Sequence, residues 1–303
     1  MTDGATELKP DEFFSVVVPY YKRPMYLKQL VDSVHQHADF PFEIVVHNDG
    51  GMDNSTDLVK DKVSTVINNM GFNFGLAESA NRAIKLASSD NILFMNHDCV
   101  MTGPCLKAFK TILERPYVGM INGFGEPPEY PEKYLEHKGV KFFIKGGVGG
   151  CCIMIFRKSV WEEIGGFEKV DSGRADTVIP FKCYRHGYFR AKLYGEFPFR
   201  NLSHEKHNID TTLDGGRELH FPKLFNVTGE EYFKACQERL QSWQKYGREE
   251  EFREEGIANL NYWHNFSMKL VPDSDPTHIN WELDREYGYG HSLWEKEVKE
   301  DIH

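Results

Sequence analysis

The chain sets short apolar runs against longer stretches with apolar residues at helical spacing, and that rhythm runs from residue 13 to residue 193. Phe14 to Val18 is a β-branched apolar run closed by Pro19-Tyr20-Tyr21-Lys22-Arg23-Pro24, which predicts a buried strand and a turn. Pro24 suits the first position of a helix, and Leu27, Leu30, Val31 and Val34 follow on one helical face. A second strand, Phe42 to His47, ends in Asn48-Asp49-Gly50-Gly51, and Asp53-Asn54-Ser55-Thr56 offers caps for a short helix. Ser64 to Asn68 predicts a third strand, followed by the loop NMGFNFG and a small-residue helix from Leu76 to Ala87. The run from Asn91 to Val100, NILFMNHDCV, predicts a strand that ends abruptly in Asn96, His97 and Asp98.

Beyond this stretch Pro104 opens a helix carrying Leu106, Phe109 and Leu113, and Tyr117 to Ile121 predicts a further strand. Gly123 to Lys145 is rich in Pro, Gly, Tyr and charge and predicts an irregular loop, a length uncommon in a compact domain unless it acts as a lid or acceptor wall. A glycine run then leads into the strand Cys151 to Phe156, a helix from Lys158 to Ile164 stopped by Gly165-Gly166, a helix near Asp176 interrupted by Pro180, and a strand from Tyr188 to Leu193. His204, His207 and Asp210 fall in a polar loop. Past residue 218 the character changes: Thr228 with Glu231 reads as a capping box, with Phe233, Cys236, Leu240 and Trp243 on one helical face.

Strands alternating with helices imply an α/β fold with parallel pairing and right-handed crossovers. The expected organisation is one α/β domain over 13–215 and a mainly helical extension over 216–303.

Composition narrows the function classes. At 303 residues and 40% hydrophobic content the chain can bury a sizeable core. The net charge of −10 gives no electrostatic footprint for non-specific nucleic-acid or anionic-membrane binding. Six scattered cysteines with no CxxC pair argue against a zinc site or a disulfide framework. No long apolar run marks a transmembrane segment and the first residues lack the layout of a signal peptide, so a soluble, cytoplasmic protein is expected.

Polar residues at strand ends carry the candidate chemistry, because ligands bind outside the carboxyl ends of the strands in an open α/β sheet. Asp98 with the Asn96 amide is hard-oxygen chemistry, suited to Mg²⁺ or Mn²⁺ bridging phosphates; the alternative is a strand-end Asp that caps the next helix.

Taken in order, FSVVVPYYKRP, EIVVHNDGGMDNS, NFGLAESANRA, LFMNHDCV, GGCCIMIFRKSVWEEIGGFEK and GRADTVIPFKCYRHGY resemble the family-2 glycosyltransferases. The resemblance covers roughly residues 13–210 and implies that the domain over 13–215 is a catalytic one, with a nucleotide-sugar half at 13–122 and an acceptor and catalytic half at 123–215. It implies a GT-A fold: a Rossmann-like, mostly parallel sheet flanked by helices, here with a helical C-terminal extension. It also implies inverting transfer of a sugar from a nucleoside-diphosphate donor to an acceptor hydroxyl. Residue by residue, it places nucleotide contacts at Pro19, Tyr21 and Asp49, the Asp meeting the base, and the third motif at Gly75, Ala77 and Asn81. The metal motif falls on Asn96, His97 and Asp98, where Asn96 replaces the first Asp. The catalytic-base pair falls on Ala175-Asp176, where only the Asp is kept, and His204 matches a later histidine that approaches metal or diphosphate, with His207 as its rival.

Arg23 or Arg82 is positioned in sequence to assist the diphosphate. Asp176 is the candidate general base, its alternative being a helix cap. The expected cofactor is a divalent cation, Mn²⁺ or Mg²⁺. The expected partners are a UDP- or dTDP-sugar, or a GDP-sugar, and a glycan or other hydroxyl acceptor, with nucleic acid disfavoured. Two other classes compete: a nucleotidyltransferase, for which VVVPYYKRP lacks the Gly-rich phosphate loop, and a non-catalytic nucleotide-sugar binding module, which Asn96 and Ala175 keep open.

Overall fold

The computed structural model describes residues 8–49, 55–69, 74–122, 130, 134–144, 152–167, 179, 180, 182, 183, 185–202 and 234. The expectations for Asp176, His204, His207, Asp210 and the extension over 216–303 lie outside these residues.

The first half forms as its pattern predicts. Strand β1 (Phe14–Tyr20) is buried along its whole length. Helix α1 (Pro24–His37) has Pro at its start and buries Leu27, Leu30, Val31 and Val34. Strand β2 (Phe42–Asn48), a 3₁₀ turn at Ser55–Leu58, strand β3 (Thr65–Asn68), helix α2 (Leu76–Leu86) and strand β4 (Asn91–Met95) follow. Ala77, Ala80 and Ala83 bring α2 close to the sheet, where it covers β1 and β2. Strand β5 (Cys99–Met101), which the pattern did not predict, and the expected helix α3 (Leu106–Leu113) and strand β6 (Val118–Asn122) complete this half. No local side chain caps α3. Asp39 does so from a distance, accepting the backbone N–H groups of Leu106 at 2.8 Å and Lys107 at 3.3 Å.

In the second half, strands β7 (Leu135–His137) and β8 (Val140–Ile144) form a hairpin within the stretch expected to be irregular loop. Its two-residue turn, Lys138-Gly139, has positive φ at both positions (48° and 79°), the twist that lets adjacent antiparallel strands close. Strand β9 (Ile153–Arg157), helix α4 (Lys158–Glu163), and strands β10 (Phe189–Leu193) and β11 (Phe199–Asn201) follow. Ile179, Pro180, Lys182, Cys183 and Arg185 are helical, just after Asp176 in sequence.

Nine strands form one sheet in the order β3-β2-β1-β4-β9-β6-β10-β8-β7. Pairing is parallel from β3 to β4, as expected, but β9 enters between β4 and β6 antiparallel to both. Since β10 runs parallel to β6, the carboxyl ends of β1, β2, β3, β4, β6 and β10 share one edge. A second, two-stranded sheet pairs β5 with β11, Asn201 opposite Cys99, and returns the chain to the end of β4. None of the helices among the described residues is long and apolar enough to cross a membrane.

Candidate functional site

The edge shared by those carboxyl ends gathers the polar residues. Pro19 is buried inside β1, opposite His47 of β2. After it the chain leaves the sheet through Lys22 (φ 46°) and Arg23 (φ 87°), two consecutive non-glycine residues in the left-handed region. Backbone held this way costs free energy and concentrates at ligand-binding loops. The Lys22 ammonium lies 4.8 Å from the centre of the half-buried Tyr21 ring.

Asp49, one residue past β2, is 3% exposed, and its carboxylate is closely hydrogen-bonded. Oδ1 accepts from Asn69 Nδ2 and from the Phe74 N–H, both at 2.8 Å, and Oδ2 accepts from the Gly75 N–H at 2.8 Å. The Asp49 N–H donates to the Tyr20 carbonyl at 2.7 Å. One residue, through its side chain and its backbone N–H, thus fastens the start of α2 to the ends of β1, β2 and β3. An ionised carboxylate offers about four acceptor positions, so one remains for a ligand donor.

Asn81 is engaged elsewhere. Its Nδ2 donates to the Phe167 carbonyl at 2.8 Å and its Oδ1 accepts the Phe167 N–H at 2.9 Å, which joins α2 to the segment after α4. Gly166 makes that junction possible, since a Cβ there would lie 2.7 Å from Asn81 Oδ1 and 2.9 Å from the Trp161 ring. Arg82, four residues after Glu78, pairs with it and lies over the Phe74 ring at 4.4 Å, at the mouth of the same loop.

At the end of β4, the Asn96 N–H donates to the Cys152 carbonyl at 2.8 Å, fixing the motif against the start of β9. Asn96 Oδ1 is buried with no hydrogen-bond partner among the described residues. A buried amide oxygen without a donor costs free energy unless a ligand or ion completes it. His97 meets the Tyr20 ring edge-on at 5.7 Å, and burial lowers its pKa against the opposing pull of the Asp98 carboxylate. The Asp98 carbonyl accepts the Leu202 N–H at 2.7 Å, directly beyond β11. The backbone two residues before His204 is therefore anchored on Asp98.

These donors fit an oxygen-seeking divalent cation: an amide oxygen and a carboxylate two residues apart at a strand end, the amide lacking a partner. Among the described residues no group of three or more His, Cys, Asp or Glu side chains is placed to hold a metal. Sequence reading passed over His47, fully buried two residues before Asp49, where neither ring nitrogen bonds another described residue and burial lowers the pKa. Its place inside an apolar run hid it among core positions.

Residues 15–165 match the family model for glycosyl transferase family 2. An uncharacterized glycosyltransferase of Haemophilus influenzae is 26% identical over 165 residues, which cover 50% of this chain and 55% of that protein. An O-antigen biosynthesis protein of Myxococcus xanthus is 26% identical over 188 residues, covering 51% of this chain and 14% of that one. The fold resembles that of S. aureus TarS 1-349 in complex with UDP-GlcNAc, with a TM-score of 0.51, 18% identity, and coverage of 84% of this chain and 74% of that one.

Proposed function

Because this chain belongs to glycosyl transferase family 2 through residues 15–165, we propose that it moves a sugar from a nucleoside-diphosphate donor to an acceptor hydroxyl, inverting the anomeric carbon. The observation that carries this reading is the edge where β1, β2 and β4 end together, with Asn96, whose oxygen has no partner among the described residues, two positions before Asp98 in sequence.

On this reading Asp49 forms the wall of the nucleotide pocket, and its remaining acceptor position suits a ring N–H such as the imide of uracil or thymine, in keeping with a UDP- or dTDP-sugar; the N1–H of guanine would serve the same position. UDP-GlcNAc occupies the S. aureus TarS structure and supports the same donor class. Pro19 and Tyr21 line the base side, and Arg23 and Gly75 border the loop over the phosphates. A Mn²⁺ or Mg²⁺ ion held by Asp98 and Asn96 would offset charge on the departing diphosphate. His204 is proposed as a further ligand, since Leu202 ties its backbone to Asp98. Asp176 takes the proton from the acceptor hydroxyl as that oxygen bonds to the anomeric carbon and the diphosphate leaves.

Incubation with UDP-, dTDP- and GDP-sugars and Mn²⁺ tests the reading. Release of free nucleoside diphosphate is expected, and Asp98→Ala should weaken nucleoside-diphosphate affinity chiefly when Mn²⁺ is present. Failure of every donor to bind, or equal affinity of wild type and mutant at saturating metal, refutes it.

A further inference from the structure

In the segment EPPEYPEKY two tyrosines, Tyr130 and Tyr134, stand just ahead of β7 in sequence. Tyr130 is 64% exposed, the largest value among the described large hydrophobic side chains. Its ring is nonetheless held: it meets the Tyr194 ring edge-on at 5.4 Å, and it lies 3.5 Å from where a Cβ on Gly195 would stand. Gly195 has φ +94°, a conformation that favours glycine, so the residue next to Tyr194 presents no side chain to that ring. Tyr134 also packs against Tyr194, its ring centre 5.1 Å away. The Lys141 ammonium stands 4.6 Å from the Tyr134 ring centre and 5.9 Å from that of Tyr194.

We propose that Tyr130, Tyr134, Tyr194 and Lys141 form a saccharide-binding platform that holds the acceptor chain away from the reacting end. The identity of the occupant rests on the glycosyl-transfer reading above. Two features favour a sugar chain over a protein partner. Tyr194 follows β10, whose carboxyl end lies on the sheet edge that carries Asp98, three strands from β4 and so on the order of 14 Å across the sheet. The surface is also amphipathic, with fixed rings for the C–H faces of a pyranose, phenolic hydroxyls for its rim and one ammonium for an acidic unit. A rigid, exposed aromatic loses little conformational freedom when a ligand stacks on it.

Saturation-transfer NMR with chitotetraose and a hyaluronan tetrasaccharide, paired with UDP calorimetry in the presence of Mn²⁺, tests the platform in the full chain. Wild type should bind at least one tetrasaccharide in the millimolar range, and Tyr130→Ala should weaken it about 2- to 10-fold while Tyr130→Phe retains it. UDP affinity should be the same in all three proteins. Tetrasaccharide binding by a wild type that fails to bind UDP would sustain the platform while the donor reading falls. Equal tetrasaccharide affinity in wild type and Tyr130→Ala, or no binding of either tetrasaccharide to wild type, overturns the proposal. A Lys141→Ala variant that binds hyaluronan tetrasaccharide as tightly as wild type removes Lys141 from it.

Discussion

Replacing Asp49 by Asn keeps the size of the side chain but changes one oxygen into a donor. The carboxylate accepts from Asn69 Nδ2, the Phe74 N–H and the Gly75 N–H, each at 2.8 Å, so in either amide orientation at least one of these donors faces another donor. A hydrogen bond to a charged acceptor contributes about 1.5–3 kcal/mol, and leaving its buried partner unsatisfied adds a desolvation cost. The expected loss is about 2–4 kcal/mol of folding stability, a drop in melting temperature of roughly 5–15 °C. Urea denaturation of both proteins measures it. Calorimetry with UDP, CDP and GDP gives a second reading: because the start of α2 loosens, every nucleotide should weaken, with UDP and GDP, whose bases carry a ring N–H for the remaining carboxylate position, losing more than CDP. An unchanged urea midpoint would refute the tether, and unchanged nucleotide affinities would remove Asp49 from the pocket.

Gly166→Ala sets a Cβ 2.7 Å from Asn81 Oδ1 and 2.9 Å from the Trp161 ring at φ +68°, so a loss of about 2–4 kcal/mol is expected in denaturant unfolding, and a change below about 0.5 kcal/mol would contradict the packing. Burial lowers the pKa of His47, His97 and His186 below the ordinary 6.5, so the unfolded chain takes up protons that the native state resists. Their contribution is fully present above about pH 6.5 and is lost as pH falls below it, each group contributing a slope of up to about 1.4 kcal/mol per pH unit; equal urea midpoints at about pH 7.5 and pH 5.5 would contradict this. Asp176→Asn should leave folding and donor affinity near wild type while kcat falls by about 10²–10⁴-fold, and near-normal turnover would exclude it as the base.

The elements from Phe14 to Met95 were legible because each carries its own signal: a β-branched run, a Pro at a helix start, or apolar residues at helical spacing. The β7–β8 hairpin was not, since strands of three and five residues joined through Lys138-Gly139 give too short an alternation to stand out from the Pro- and Tyr-rich loop before them. The direction of β9 depends on which neighbours it pairs with, and no local pattern encodes that. The same holds for the site. Asp49 and Asn96 were visible as polar residues at strand ends, but the carboxylate's hold on Phe74 and Gly75, and the Asn81 amide's hold on Phe167, are bonds between distant segments.

The pairing of β5 with β11 bears on how the protein is made. Asn201 Nδ2 donates to Cys99 Sγ across 102 residues of chain. A ribosome adding about 5–20 residues per second needs roughly 5–20 s to synthesise that interval. The elements from β1 to β4 therefore leave the exit tunnel and can fold while the strand that anchors Leu202 on Asp98 is still unmade. A nascent chain stalled before residue 199 would carry Asp49 and Asp98 without the β11 clasp, so the backbone at Asp98 gains its last described tie well after the strand that bears it has been made.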